Sequence, residues 1–334
     1  MCINITKGND RTTNYIQTVQ EICYNRSEVI NLYRLKAKND FVFQRIFGRQ
    51  ENKEILISFL NAVLMLENEN KLNDIDVMEN TKLEKDRPED KLGILDIKAR
   101  TISGVQINIE IQIVNQYNMD KRTLFYWSKL FTEQLSEGQA FNELKKTITI
   151  NILDFEYIKV ENYHSVFHLW EDSRKDYKLT DVLEIRFIEL PKFRKIQPDM
   201  SKPLDRWLLF LEDSPKEVLD MAIKAEPAIE KAQKVLEYLG TNEEIRRYYE
   251  LREKAIHDEI TRLTGAKEEG IQQGIEQGIQ QGIQQGIQQG IQQGEDKKSF
   301  EVARNMLLDG IEDTIIEKYT GISKDDLEKI KNNT

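Results

Sequence analysis

The stretch 93–114, GILDIKARTISGVQINIEIQIV, constrains the 334-residue chain more than any other. It reads as two strands about a turn at Ser103 and Gly104. In the second strand Ile107, Ile109, Ile111 and Ile113 share one face, and Gln106, Asn108, Glu110 and Gln112 share the other, because successive strand side chains point to opposite sides. In the first strand Leu95, Ile97 and Ala99 oppose Ile94, Asp96 and Lys98. A three-residue connection, 102–104, sets Ile97 against Ile109, Leu95 against Ile111 and Asp96 against Glu110. A two-residue connection would put the two acids on opposite faces. The apolar pattern therefore predicts that Asp96, Glu110 and Gln112 converge on one side of a sheet.

Two carboxylates and a carboxamide at one sheet edge suit a hard divalent cation. Mg²⁺ takes oxygen ligands and keeps several waters. Asp96, Glu110 and the main-chain carbonyl of Ile111 are the candidate ligands, and such an ion polarises a phosphoryl oxygen and activates water. The competing reading is a solvated strand face, where exposed acids are ordinary. The chain's net charge is −10. That excludes binding to nucleic acid through overall charge and leaves a local basic surface or a metal ion to offset phosphate. The two cysteines, Cys2 and Cys23, form no CxxC pair, so no zinc or disulfide framework is expected. No apolar run reaches the length of a membrane span, and the N-terminus lacks a secretory core, so the expected setting is the cytoplasm. His164 and His168 are four apart but lie in a strand-like segment with no third ligand, and they read as structural. Phosphate loops and nucleophile elbows are absent from the sequence.

Residues 1–30 read as a weakly ordered flank. Asn39 is a candidate N-cap for a helix through Phe47, and a second helix is expected over about 52–66. An early strand at about 74–83 and a loop through Pro88 precede the hairpin. Next come a helix from about 119 to 138, strands at 147–153, 167–170 and 183–190, and helices from near Leu204, at about 215–239 and at about 242–264. This organisation divides into a catalytic-type domain at 31–214, a helical extension at 215–264, a repeat segment at 265–294 and a small helical module at 295–334.

From Gly270 to Gly294 the chain repeats Gly-Ile-Gln-Gln, with Glu276 the one variation. A period of four drifts about 40° per repeat on a 3.6-residue helix. Each glycine costs roughly 1 kcal/mol against alanine. An isolated helix is therefore not expected, and a self-associated rod and a flexible linker both stand open. The tail then shows three short helices punctuated by Gly310, Gly321 and Ser323, a helix-turn-helix-like pattern. Over 265–334 it carries eight Lys and Arg against thirteen Asp and Glu, a net charge of −5. A groove-reading helix should be basic, so the charge favours a dimerisation or regulatory module.

Several stretches, in this order, resemble the Rpn family of recombination-promoting nucleases and transposases, in the PD-(D/E)xK superfamily. They are NDFVFQRIFG at 39–48, LDIKA at 95–99, IEIQ at 109–112, KRTLFYWSKL at 121–130, EGQAF at 137–141 and INILD at 150–154. The segment at 248–255, the tetrads and the tail are also similar to the family. The resemblance implies an α/β, restriction-endonuclease-like core, a mixed central sheet flanked by helices, followed by an all-helical C-terminal extension. It also implies a metal-dependent DNA endonuclease using Mg²⁺, or Mn²⁺ or Ca²⁺, in recombination, mobile-element biology or phage defence. Asp40 matches an acid facing the metal, and Asp96 and Glu110 match its ligands. Gln112 stands where the superfamily's lysine usually is, and glutamine carries no charge and exchanges no proton. Lys98 is a candidate displaced cation, and Arg122, Tyr126 and Lys129, at i, i+4 and i+7, are candidate phosphate contacts. Leu95 precedes Asp96 where the superfamily name has proline. The expected partners are DNA and a second copy joined through the C-terminal helices, with no membrane. The alternative is a catalytically weakened DNA-associating or regulatory protein of the same fold.

Overall fold

The hairpin folds in the register that its apolar face demands. In the computed structural model, which describes residues 34–78 and 97–332, strand β2 (Ile97–Thr101) pairs antiparallel with β3 (Gln106–Gln112). Ile97 lies opposite Ile109 and Ala99 opposite Ile107. Thr101 N donates to Val105 O at 3.0 Å and Gly104 N to Thr101 O at 2.9 Å. Gly104 has φ 88°, a left-handed conformation that glycine adopts without a Cβ penalty. This closes the three-residue connection. Leu95 and Asp96 lie outside the described residues.

Among the described residues the sheet has six strands in the order β1-β2-β3-β4-β6-β5. They include β1 (Ile75–Met78), β4 (Thr147–Leu153), β5 (His164–Phe167) and β6 (Leu183–Glu189). The β3, β4 and β6 strands run parallel, and the other pairings are antiparallel. The expected extension of β1 past Met78 lies outside the described residues. The strand expected at 167–170 sits instead at His164–Phe167, because that segment pairs with the edge of β6. Trp170 makes only an isolated bridge to Lys178. Leu190, expected at the end of β6, starts the short helix α4 (Leu190–Phe193), with Pro191 in its first turn.

Helices α1 (Asp40–Phe47), α2 (Lys53–Leu64) and α5 (Pro203–Leu211) cover one face of the sheet. Asn39 caps α1 as expected, its side chain accepting from Phe41 N at 3.1 Å and Val42 N at 3.4 Å. Phe43, Phe47, Phe59 and Trp207 pack ring on ring at 4.6–6.1 Å over Ile97, Ile107, Ile109 and Ile150. The other face is covered by α3 (Met119–Thr132). This helix stops short of the expected 138. Gln134 exchanges two hydrogen bonds with the Lys145 backbone, 2.9 and 3.1 Å, and donates to Thr147 Oγ1 at 2.9 Å. Those bonds draw the chain back toward β4.

The helix expected at 215–239 is two, α6 (Lys216–Ala225) and α7 (Pro227–Thr241). Proline has no N–H and disfavours a helical residue before it, and Glu226 is extended at φ −139°, ψ 92°. Helix α8, expected to end near 264, is Glu243–Leu308. The chain divides into two units between Ile260 and Thr261. In the second unit the tetrads are helical, the backbone form of the rod alternative. The six tetrad isoleucines are 52–58% exposed, so burial of these side chains does not offset the glycine cost. The tail folds as its punctuation predicts, with α9 (Asp313–Thr320) ended by Gly321 at φ 70° and α10 (Lys324–Asn332) begun at Ser323. The Ser323 hydroxyl accepts from Asp326 N at 3.2 Å. Ala303, Ile316, Ile322 and Leu327 form its small core. No helix among the described residues is long and apolar enough to cross a membrane.

Candidate active site

Strand β3 places its alternate residues in opposite environments, and both are buried. The polar row does not face water as a half-exposed strand would. It lies beneath α3, and polar bonds hold that helix down. Arg122 donates to Glu110 Oε1 at 2.6 Å, Thr123 Oγ1 to Asn151 Oδ1 at 2.9 Å, and Trp127 Nε1 to Thr147 O at 2.9 Å. Met119 and Trp127 complete the docking on Leu153, Leu183, Ile185 and Phe187.

Glu110 is the acid at the centre of this face, 3% exposed. Burial pushes its carboxyl above the usual range, and Arg122 opposes that shift. Its Oε1 takes the Arg122 bond, and its Oε2 has no partner. Arg122 also donates to Gln116 Oε1 at 2.8 Å and lies 5.6 Å above the Tyr126 ring. The structure therefore joins three sequence candidates, Glu110, Arg122 and Tyr126, in one cluster. Gln112 follows on the same face of β3, half-buried, and donates to Val114 O at 3.3 Å.

The other candidates stand elsewhere. The Asp40 carboxylate accepts two bonds from Arg252 Nε, at 2.8 and 3.0 Å, and a further bond from the same guanidinium. It also accepts from Phe41 N at 2.9 Å. The α8 residue Arg252 thus occupies the acid that was expected to face a metal. Beside it, Asn39 donates to Glu253 at 2.8 Å. Lys129 is exposed on α3, 3.9 Å from Glu133. Lys98, opposite Asn108 on β2, lines a surface groove of about 420 Å³ with Arg100, Gln106, Gln134 and Lys145. Asp96 lies outside the described residues.

Among the described residues no three His, Cys, Asp or Glu side chains gather as a metal group. Glu110 still offers a buried carboxylate oxygen without a partner, and the Ile111 carbonyl belongs to the next residue. Both are oxygen donors of the kind a hard divalent ion takes, so the residues present fit such an ion at this atom. His164 and His168 each face a charged side chain. His164 lies 3.4 Å from Arg186, and His168 lies 3.3 Å from Glu184.

Three further buried polar residues, Asn108, Thr149 and Asn151, also belong here. Asn108 and Thr149 are opposite each other on β3 and β4, as are Glu110 and Asn151. Alternation in 106–112 and 147–153 signalled that each row faces one way. Nothing in it signalled that the two rows would lie side by side, because a parallel pairing joins segments about forty residues apart.

Two family models match the chain. One, described as PD-(D/E)XK nuclease family transposase, spans residues 37–266. The other, described as Rpn/YhgA-like nuclease family, C-terminal HTH domain, spans 296–332. A helix-turn-helix description suggests DNA binding, against the acidic charge of that tail. Neither a curated protein nor a solved structure matches.

Proposed function

The chain belongs to the PD-(D/E)XK nuclease family of transposases, and from that premise we propose that it is a divalent-metal-dependent DNA endonuclease. We place its work in recombination, mobile-element biology or phage defence within the cytoplasm. The observation that carries the reading is Glu110, a carboxylate sealed under α3 with one oxygen held by Arg122 and the other free.

Nucleases of this class generally use divalent metals, and Mg²⁺ is our choice here, with Mn²⁺ or Ca²⁺ as substitutes. In this reading Glu110 Oε2, the Ile111 carbonyl and Asp96 hold the ion. The observed pairing of Ile97 with Ile109 is the register the reading requires. The ion, when bound, supplies Lewis-acid polarisation of the phosphodiester. Arg122 supplies the positive charge that Gln112 lacks, because it is the cation already held against Glu110 on that face. Gln112 orients water or phosphate through its amide. Tyr126 stacks under the Arg122 guanidinium and limits its swing. Lys98 and Lys129 contact the DNA backbone as rim charges. Asp40 becomes available only when Arg252 releases it. Each site cuts one strand, so a homodimer joined through the C-terminal helices would cut both, with the HTH domain delivering the DNA.

The saturated Asp40 favours one other reading, a DNA-associating protein with weakened cleavage. Plasmid nicking in Mg²⁺, Mn²⁺ and Ca²⁺ separates the two. Wild type is expected to nick, and Asp96→Ala and Glu110→Ala are expected not to. Equal activity in all three proteins, or none in wild type with any ion, sinks the nuclease reading. For the dimer, chain truncated before Gly270 is expected to fall to monomer mass in light scattering, and an unchanged mass rejects the contact.

A further inference from the structure

The row under α3 contains more buried polar atoms than partners for them. Asn108 is 2% exposed, and neither its Nδ2 nor its Oδ1 has a hydrogen-bond partner. Thr149, across from it on β4, is fully buried with its hydroxyl also unpartnered. One alternation along β3 is the free Glu110 Oε2, and the Arg122 Nε beside it is unpartnered too. Native proteins satisfy nearly all such groups, so several together mark a place where something binds.

The chemistry of these atoms says what. Asn108 Nδ2 and Arg122 Nε only donate, Asn108 Oδ1 and Glu110 Oε2 only accept, and the Thr149 hydroxyl does both. The Glu110 charge is offset by Arg122. Between Asn108 and Thr149 a bare cation would meet the Asn108 N–H groups, and an anion would meet the neighbouring Glu110 carboxylate. Water both donates and accepts, and a neutral, mixed lining suits it. We propose that Asn108 and Thr149 hold ordered water against Glu110 Oε2, which makes Asn108 a positioning residue for the site. The water fixes the carboxylate's orientation and still leaves its oxygen a lone pair for a metal ion. The water site stands on the unpartnered atoms alone, while its effect on cleavage rests on the nuclease reading.

Two measurements test it. A crystal structure of the full chain, at a resolution that shows solvent, is expected to place water within hydrogen-bond distance of Asn108 and Glu110 Oε2. No water at that place, or a cation coordinated by Asn108 Oδ1, overturns the proposal. The second compares variants. Asn108→Leu replaces the water-bonded carboxamide by an apolar group of similar size, so its melting temperature is expected to move little. Its plasmid nicking is expected to fall roughly tenfold or more at unchanged DNA affinity, as for other lost supporting contacts. Asn108→Ser, which keeps an oxygen for the water, is expected to recover part of the loss. Wild-type nicking by Asn108→Leu, or a fall in melting temperature that tracks its loss of activity, overturns the positioning role. A wild type that never nicks, with water seen between Asn108 and Glu110 Oε2, overturns the nuclease reading and Asn108's role in cleavage but supports the water site.

Discussion

Ile107, Ile109 and Ile111 on one face of β3, and Asn108 and Glu110 on the other, differ by a single residue in sequence and are equally buried. The isoleucines enter a cluster with Phe43, Phe47, Phe59 and Trp207, where contact is dispersion and burial alone. The polar residues meet α3, where each buried group needs a specific partner, and several have none. Burial alone does not distinguish scaffold from site. What distinguishes them is whether the buried groups are fully satisfied. The isoleucine side of β3 is filled by apolar contacts, whereas the Asn108 and Glu110 side leaves several buried polar atoms without a protein partner.

The sharpest way to separate the faces is Glu110→Gln. It keeps shape and one acceptor, so nicking is expected to drop about 10³-fold while the melting temperature moves little. A similar loss of stability would place Glu110 with the scaffold. Ile109→Ala is the converse, expected to cost roughly 2–5 kcal/mol in denaturant unfolding. A third experiment concerns the seam itself. Arg122→Met strands a buried carboxylate and is expected to cost about 3 kcal/mol. Arg122→Met with Glu110→Gln together is expected to cost less than Arg122→Met alone. Additive losses would mean the pair is not coupled.

The apolar face has its own polar edge, and acid tests it. Glu184 bonds Arg186 and Lys146, both at 2.6 Å, and lies 3.3 Å from His168. Burial raises its carboxyl, but those cations prevail and hold it at about 2. A carboxyl held below its unfolded value adds stability above that value and loses it as pH falls toward about 2. Burial, then Arg186, lowers His164 to about 4. Its neutral form is the folded one, so its contribution is full above the ordinary 6.5 and is lost as pH falls through about 4. Melting temperature is therefore expected to decline from about pH 6.5 downward, and Glu184→Gln is expected to flatten the part below about 4.5. A flat wild-type profile would contradict both shifts. The smallest effect belongs to the rim. Lys129→Ala is expected to change stability by less than about 0.5 kcal/mol, and to weaken DNA binding only at low salt.

Features set by neighbouring residues were legible in the chain. The hairpin register followed from matching alternation across an odd turn, and Gly104 supplies the backbone that turn needs. The Asn39 cap, β4 and the tail's glycine stops were read for the same reason, since each depends on a few adjacent residues. Pro227 shows that a local signal can also be overlooked. The tetrad segment stood open between rod and linker in the sequence, because glycine propensity disfavours an isolated helix while the helix continues on either side of it. Tertiary structure alone decided that Glu110 meets Arg122, that Asn108 meets Thr149 across a parallel pairing, and that Arg252, more than two hundred residues away, takes Asp40. Periodicity tells which way a side chain faces along its own strand or helix. What lies opposite depends on how distant elements pack, and packing is a property of the whole core.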